Sequence, residues 1–444
     1  MKRALPLIAI GVLLMCAGEK VNALTLDALL QKTADNNPEI VKAKLELERA
    51  SGQRIVLRAI AYPDVLVGAV GGAQGGYRAG QNKTQPFGFG YGGLTQALFN
   101  AAIPASLRRG NIEVLIAQQQ LNVALTQHLH DARTAFYTGL YNRSLKQLRE
   151  EQRDQLQEVA AGQKARYESG LAERSVFVGT QMQTRELNPR IETAQRGYDG
   201  AVLREAELMG DDLTGRTPLP RLEGELTFQP IEPDVDAAVA TALQNRADLK
   251  LARLLVRAAE EDQRIIEAAY YPVINATVSG EYIPVSGVRR QSEGSPRRSD
   301  EFISSEIRAG AAYSWRVIDN GKVYGAVKKQ RSVREINELL LKKMEADVPR
   351  ELARLRNSLQ ALAAKRISVE QATSAADHLA STLKENLAGG LTSQLEFRLA
   401  ENGLLDTKTA LLGLAYQQNM ALAEWDRATG RYFQFTDEPA GNTR

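Results

Sequence analysis

Two segments of this chain, Leu107 to Tyr167 and Lys322 to Leu387, are dense in Ala, Leu, Gln, Glu and Arg, all strong helix formers. At 1.5 Å per residue each makes a helix roughly 90 Å long. That exceeds any ordinary globular core, so these helices must pair with one another instead of wrapping one compact centre. Each has a shorter return partner, Arg174 to Met209 after a turn at Gly170 and Ser393 to Thr429 after Gly389-Gly390. The hairpins are therefore expected over 105–209 and 322–429, with Pro189 and Pro349 as bends.

The resemblance between the two hairpins extends to the rest of the chain. Asn36-Asn37-Pro38-Glu39-Ile40 aligns with Asn245-Arg246-Ala247-Asp248-Leu249. The same register, without a gap, sets Asp27-Ala28 against Asp236-Ala237 and Ala61-Tyr62-Pro63 against Tyr270-Tyr271-Pro272. Further on, Tyr167-Glu168-Ser169-Gly170 faces Leu387-Ala388-Gly389-Gly390, Phe177 meets Phe397, and Gly210 meets Gly430. Two helices alike only in composition would not keep Asn, Tyr-Pro and Gly landmarks in order, so the chain reads as two tandem repeats, 24–230 and 231–433, with a tail at 434–444. Each repeat opens on helical segments, Leu26 to Ala34 and then Pro38 to about Ile60 in the first, Ala237 to Ala269 in the second.

Between the helices lie segments of a different period. In Pro272 to Tyr282, Ile274, Ala276, Val278, Gly280 and Tyr282 alternate with Asn275, Thr277, Ser279 and Glu281. Ile307, Ala309, Ala311, Tyr313, Trp315 and Val317 repeat the pattern, opposed by Arg308, Gly310, Ala312, Ser314 and Arg316. Strands are expected at about 64–73, 87–98, 273–283 and 307–317, the first pair glycine-rich and softer in alternation, with Phe87, Phe89 and Tyr91 marking one face. One apolar and one polar face over about 11 residues is the pattern of strands that cross a bilayer.

Composition narrows the class. After the first 23 residues no run of 18 uncharged apolar residues occurs, which excludes a bundle of membrane-spanning helices. The formal net charge is +3 over 444 residues, too balanced for a nucleic-acid-binding chain. Residues 1–23 read as a signal peptide: Lys2 and Arg3, an apolar run from Ala4 to Ala17, and the small-residue end Val21-Asn22-Ala23. Cys16, the one cysteine, falls inside it, as a discarded residue or a lipidation site. Four strands cannot close a barrel, and an unpaired edge in hydrocarbon costs several kcal/mol per backbone group. Copies of the chain must share one: two give eight strands and a filled interior, three give twelve and room for a channel.

Asn37-Pro38, Tyr62-Pro63, Val317-Ile318-Asp319-Asn320-Gly321 after a strand, the Tyr167 to Gly170 turn and the two tandem halves together resemble the TolC family of outer membrane efflux proteins, over about Leu24 to Phe433. The resemblance implies a mostly α fold with a transmembrane β-barrel: long antiparallel hairpins forming a periplasmic α-barrel, and four strands per chain in a 12-stranded trimeric barrel. An equatorial region would come from about Gly210 to Asp234 and the C-terminal residues Arg431 to Arg444. It implies a homotrimer in the outer membrane, in contact with outer membrane lipid and extending into the periplasm, working with a periplasmic adaptor protein and an inner membrane pump as a passive exit duct for small molecules. A type I protein secretion channel is the alternative within the resemblance, and a structural coiled-coil envelope protein the alternative outside it. Carried onto this chain, the periplasmic tip and adaptor contact fall at Tyr167, Gly170, Leu171, Ala172 and Arg174 and at Gly389, Gly390, Leu391 and Thr392. Leu387 stands where the first tip has Tyr167, and the second tip has no arginine matching Arg174.

Near the tips Glu168, Glu173, Glu385 and Glu396 offer threefold carboxylate rings, against the plainer reading of a solvated helix surface. Arg289, Arg290, Arg297 and Arg298 fall in a loop read as extracellular, as does Gly72 to Pro86. His128, His130 and His378 do not share a helix face, so no metal site is expected. With no Walker lysine, dinucleotide glycine or metalloprotease motif, neither a cofactor nor an enzyme activity is expected.

Overall fold

The computed structural model describes residues 23–78, 81–171, 173–211, 220–285 and 302–432. Residues 1–22 with Cys16, the tip residue Ala172, the four loop arginines and the tail 434–444 lie outside the described residues. In chain order the elements are β1 (Ala23–Leu24), α1 (Leu26–Asn36), α2 (Pro38–Ala59), β2 (Asp64–Arg78), β3 (Gln81–Phe99), α3 (Ala102–Glu168) and α4 (Arg174–Met209). There follow β4 (Arg221–Leu222), α5 (Val235–Asn245), α6 (Ala247–Glu267), β5 (Val273–Val285), β6 (Phe302–Ser314), α7 (Lys322–Ala388) and α8 (Gln394–Thr429).

The duplication is visible in element lengths. The long helices α3 and α7 each have 67 residues, the return helices α4 and α8 each 36, and α1 and α5 each 11. At 1.5 Å per residue, α3 and α7 are each about 100 Å long. Pro189 and Pro349 lie inside α4 and α7, which continue through them. No helix among the described residues is long and apolar enough to cross a membrane.

Two compact units divide the chain, each drawing on both repeats. The first comprises residues 1–38, 128–232 and 358–424. Its core joins Phe136 and Leu140 of α3, Val202, Leu208 and Met209 of α4, Leu29 of α1 and Leu222 of β4. Gly139 leaves room here for the end of the Leu222 side chain, which a Cβ at that position would displace. The segment linking the repeats is held against three helices of this unit. Arg143 donates to the Leu222 and Gly224 carbonyls, Arg366 to that of Phe228, Gln418 to that of Gln229 and Asn419 to that of Thr227.

The second unit comprises residues 39–127, 233–357 and 425–444 and contains the sheet, in the order β2-β3-β5-β6, with every neighbour antiparallel. β3 and β5 join the two repeats side by side. The strands run longer than the sequence alternation suggests, 15 and 19 residues for β2 and β3 and 13 each for β5 and β6. β6 differs in register as well as length: it starts at Phe302 and stops at Ser314. Ser314 pairs with Val273, the first residue of β5, and Pro272 before it supplies no ladder N–H, so residues after Ser314 have no partner. Trp315 and Val317 therefore follow the strand, and Trp315 instead donates its indole N–H to the Tyr270 carbonyl at 3.1 Å.

A related joint occurs in each repeat. In the first unit, the Asn37 side chain between α1 and α2 donates to the Leu208 carbonyl at 2.8 Å, and α4 ends at Gly210 with φ +71. A Cβ on Gly210 would come within 2.6 Å of the Asn36 oxygen. In the second unit Arg246 takes the place of Asn37, reaching the Ala428 carbonyl at 3.4 Å, and α8 ends at Gly430 with φ +72. The longer side chain also ties Asp248 at 2.9 Å and Glu351 at 2.6 Å, and Arg427 holds the other Glu351 oxygen at 2.8 Å.

Candidate functional site

Directly paired residues of an antiparallel sheet point to the same side, so the register sorts the sheet into two faces. One carries Val65 and Val67 of β2, Leu94 of β3, Ile274, Ala276, Val278 and Tyr282 of β5, and Ile307, Ala309, Ala311 and Tyr313 of β6. It is apolar and exposed: Val67 is 79% and Ile307 80% accessible. On the β5–β6 half of the other face stand Asn275, Thr277, Ser279 and Glu281 with Glu306 and Arg308. Leu66, Gly68, Val70, Phe89 and Tyr91 line the β2–β3 half. The alternation read from β5, and from β6 as far as Ser314, is thus matched residue by residue in the pairing. On the apolar face Ile274 pairs with Tyr313, and eight residues along β5, about 26 Å at 3.3 Å each, comes Tyr282. Aromatic side chains at both ends of an apolar band of this height fit a bilayer and its interfaces.

Each outer strand, β2 or β6, has a neighbour on one side only among the described residues. An exposed apolar face with two open edges is not a finished structure in water or in lipid.

The two hairpin turns, both in the first unit, share one backbone solution. In the first, the Leu171 N–H reaches the Arg166 carbonyl at 2.8 Å and Gly170 adopts φ +73. In the second, the Leu391 N–H reaches the Asn386 carbonyl at 2.8 Å and Gly390 adopts φ +70. This is the Schellman arrangement, in which a left-handed glycine lets the next N–H close the helix end. Leu171 and Leu391, at matching positions, are 73% and 81% accessible.

The side chains around the turns differ. Tyr167 stacks on Phe177, with ring centroids 6.4 Å apart and an interplanar angle of 10°. Its counterpart Leu387 has no ring to offer, and Phe397 is buried. Arg174 is exposed at the start of α4. Of the four tip carboxylates, Glu168 sits 3.8 Å from Lys164, both well exposed. Glu173 is the N-cap residue of α4 and accepts from the Ser175 hydroxyl at 3.1 Å. Glu385 lends its carbonyl to the Gly389 N–H.

Glu396 has a definite structural task. Its carboxylate accepts from the Ser393 N–H at 3.1 Å and the Thr392 hydroxyl at 2.5 Å, while the Ser393 hydroxyl accepts from the Glu396 N–H at 3.2 Å. This is a capping box, written in the sequence as Ser393-x-x-Glu396. The Thr392 hydroxyl, then the Ser393 N–H and hydroxyl, hold the Glu396 carboxyl below the usual glutamate value.

Away from the tips, Glu205 of α4 is fully buried, and among the described residues neither carboxylate oxygen has a hydrogen-bond partner. Burial pushes its pKa up to about 8. His130, also in the first unit, lies 3.3 Å from Glu424. The described residues contain no cluster of metal-ligating side chains.

The family description "outer membrane efflux protein" matches residues 29–210 and 238–431, one stretch in each repeat. Among solved structures, the outer membrane protein VceC of Vibrio cholerae is similar at 17% identity and a TM-score of 0.74, over 91% of this chain and 96% of that one. The CmeC outer membrane channel of Campylobacter jejuni is similar at 12% identity and a TM-score of 0.74, over 92% and 86%. The MtrE outer membrane channel of Neisseria gonorrhoeae, in its open state, is similar at 15% identity and 0.71, over 91% and 88%. No curated protein sequence matches the chain.

Proposed function

Because the chain belongs to the outer membrane efflux protein family, we propose that three copies close their sheets edge to edge into one twelve-stranded barrel and act as the passive exit duct of a tripartite efflux pump. The family sits in the outer membrane and extends into the periplasm. The observation that carries the reading is the four-stranded sheet, with one exposed apolar face, a polar set on the other, and open edges at β2 and β6. Pairing β2 of one copy with β6 of the next satisfies both edges and repeats around a ring, and closure alone abolishes edges in hydrocarbon. Three copies leave a channel, which two would fill with side chains.

In this duct the apolar face meets outer membrane lipid. The exposed leucines of the two tips, Leu171 and Leu391, each project from a rigid glycine-closed turn and offer an apolar knob to a groove on a periplasmic adaptor. Energy for transport comes from an inner membrane pump.

Purified full-length protein in detergent should be a trimer by light scattering and should pass a steady ion current in a planar bilayer. A monomer without β signal in the circular dichroism spectrum refutes the barrel. A trimer that passes no current from either side, with tip turns intact or cleaved, refutes the duct. Deletion of the gene should sensitise cells to dyes, detergents or metal salts, and the compounds that discriminate name the cargo.

A further inference from the structure

The first unit buries an acid whose charge nothing offsets. Glu205 of α4 is fully buried, and among the described residues neither carboxylate oxygen has a hydrogen-bond partner. Its Oε1 lies 3.5 Å from where a Cβ on Gly139 of α3 would stand, beside the end of Leu222 of β4. Helices α3 and α4 run antiparallel here, since Gly139 meets Ala201 while Asn142 meets Gly197. Side chains lean toward the N-terminus of their own helix. Glu205 therefore leans along α3 from Gly139 toward Arg143, one turn further on the same face. Arg143 is spent on neutral acceptors: it donates to the Leu222 carbonyl and, at 2.6 Å, to that of Gly224. The other titratable groups around this core are engaged or exposed. On α3, Tyr137 accepts from Arg133 at 3.1 Å. On α8, the Tyr416 hydroxyl is 3.1 Å from that of Thr138, and Glu424 is 3.3 Å from His130. On α4 itself, Arg204 pairs with Glu207 at 2.7 Å, and Tyr198 packs at the edge of the core. Asp27 and Lys32 of α1 and Arg221 and Glu223 of β4 are exposed.

We propose that Glu205 and Arg143 form a proton-operated latch on the segment that joins the two repeats. With the proton on Glu205, Arg143 holds the Leu222 and Gly224 carbonyls. With the proton released to solvent, Arg143 turns to the carboxylate and lets residues 221–224 go. A bare carboxylate without a partner is costly in an apolar core, and a charge-assisted pair is about twice as strong as a hydrogen bond to a neutral carbonyl. Burial keeps the proton on Glu205 up to about pH 8, so the latch is closed at neutral pH and opens in alkali. Release is local, because the Thr227, Phe228 and Gln229 carbonyls keep their own donors, Asn419, Arg366 and Gln418. The latch lies wholly within the first unit and does not depend on closure of a barrel.

Hydrogen exchange of the full-length protein in detergent, followed from pH 6 to 9.5 and corrected for the intrinsic rate at each pH, tests the latch. The Glu223 N–H, bonded to the Leu24 carbonyl at 2.9 Å, reports on the latched residues. The Gln229 N–H, bonded to Gln418 Oε1 at 2.8 Å, is the internal control. Wild type should lose protection at Glu223 by about tenfold or more in a step centred near pH 8, with Gln229 unchanged. Glu205→Gln should keep full protection at both amides across the range. Arg143→Gln should show low protection at Glu223 at every pH, without a step, while Gln229 keeps its own. A wild-type profile without a step, a step that persists in Glu205→Gln, or equal loss at Glu223 and Gln229 overturns the latch, as does full protection at Glu223 in Arg143→Gln. Glu205→Gln puts a neutral group of the same shape in the buried site, so the test does not depend on the folding of the Arg143 variant.

Discussion

Replacing Glu205 by Gln should stabilise the protein at neutral pH and leave it unchanged in mild acid. Glu205 is on the buried stripe of α4, between Ala201 and Val202 on one side and Leu208 and Met209 on the other, and its carboxylate oxygens have no partner among the described residues. The nearby Arg143 donates to the Leu222 and Gly224 carbonyls. Burial alone therefore raises the carboxyl from 4.5 to about 8. The sign follows directly. Between those two values the folded chain holds one proton that the unfolded chain has released, so stability falls as pH rises, by about 1.4 kcal/mol per pH unit, and levels off above about 8. At pH 7 the accumulated cost is about 3 kcal/mol. A neutral glutamine of the same shape has no such slope, so the two proteins should coincide near pH 4.5 and diverge by a few degrees in melting temperature by pH 7. Circular dichroism melts in detergent at one-unit steps from pH 5 to 8 measure this. Parallel profiles for the two proteins refute a buried neutral carboxyl at 205.

Other positions have outcomes of comparable definiteness. Gly210→Ala should lower the melting temperature more than Gly170→Ala. Both force a left-handed alanine, at about 1–2 kcal/mol, but only at Gly210 does a Cβ also meet a backbone oxygen at 2.6 Å. Equal melting temperatures for the two variants refute the tight joint. Arg246→Met should cost about 1–2 kcal/mol, because Asp248 loses its guanidinium partner while Glu351 keeps only Arg427. A denaturant titration that finds no loss of stability shows the network to be solvated. The depressed Glu396 carboxyl contributes stability above 4.5 that is lost as pH falls through its folded value. Hydrogen exchange in the first turn of α8 should therefore quicken in acid, and Glu396→Gln should abolish that pH dependence.

Much of the architecture is legible in the amino-acid order, because duplication leaves landmarks that composition cannot. Asn37 with Pro38, and the glycines at 170, 210, 390 and 430, mark places where backbone geometry permits few residues, and each lies at a joint or turn. Period two in β5 and β6 is equally plain, since an apolar face on one side and polar groups on the other leave little freedom. Strand ends are less plain. Trp315 and Val317 continue the alternation of β6 in sequence, but β5 offers them no partner, and pairing is a property of two strands.

Side-chain roles at the tips show the same limit. Ser393-x-x-Glu396 is a local pattern whose geometry follows from spacing alone, so Glu396 could have been assigned as a cap and not only as a ring carboxylate. Glu205 is similarly betrayed by its apolar neighbours three and four residues away on both sides. The neighbouring of Tyr91 and Glu281 is different: no spacing connects these residues, and only the β3–β5 pairing across the two repeats brings them together.

Divergence between the repeats falls where a duplicated joint meets a different neighbour. Asn37 and Arg246 occupy matching places between two short helices, and each reaches a carbonyl at the end of a return helix. An amide suffices where the helix end closes on an apolar core containing Leu29 and Met209. In the second repeat the matching position lies among charged residues, and only a guanidinium has enough donors to serve the carbonyl, Asp248 and Glu351 together. The tips follow the same logic, with an aromatic stack of Tyr167 on Phe177 at one and a polar capping box at the other, on identical backbone hydrogen bonds. In the trimer proposed above, the six tips would share one backbone shape and carry two chemistries. On that proposal, a partner that reads backbone shape and the exposed leucines would dock six times, whereas one that reads tyrosine or arginine would be restricted to three.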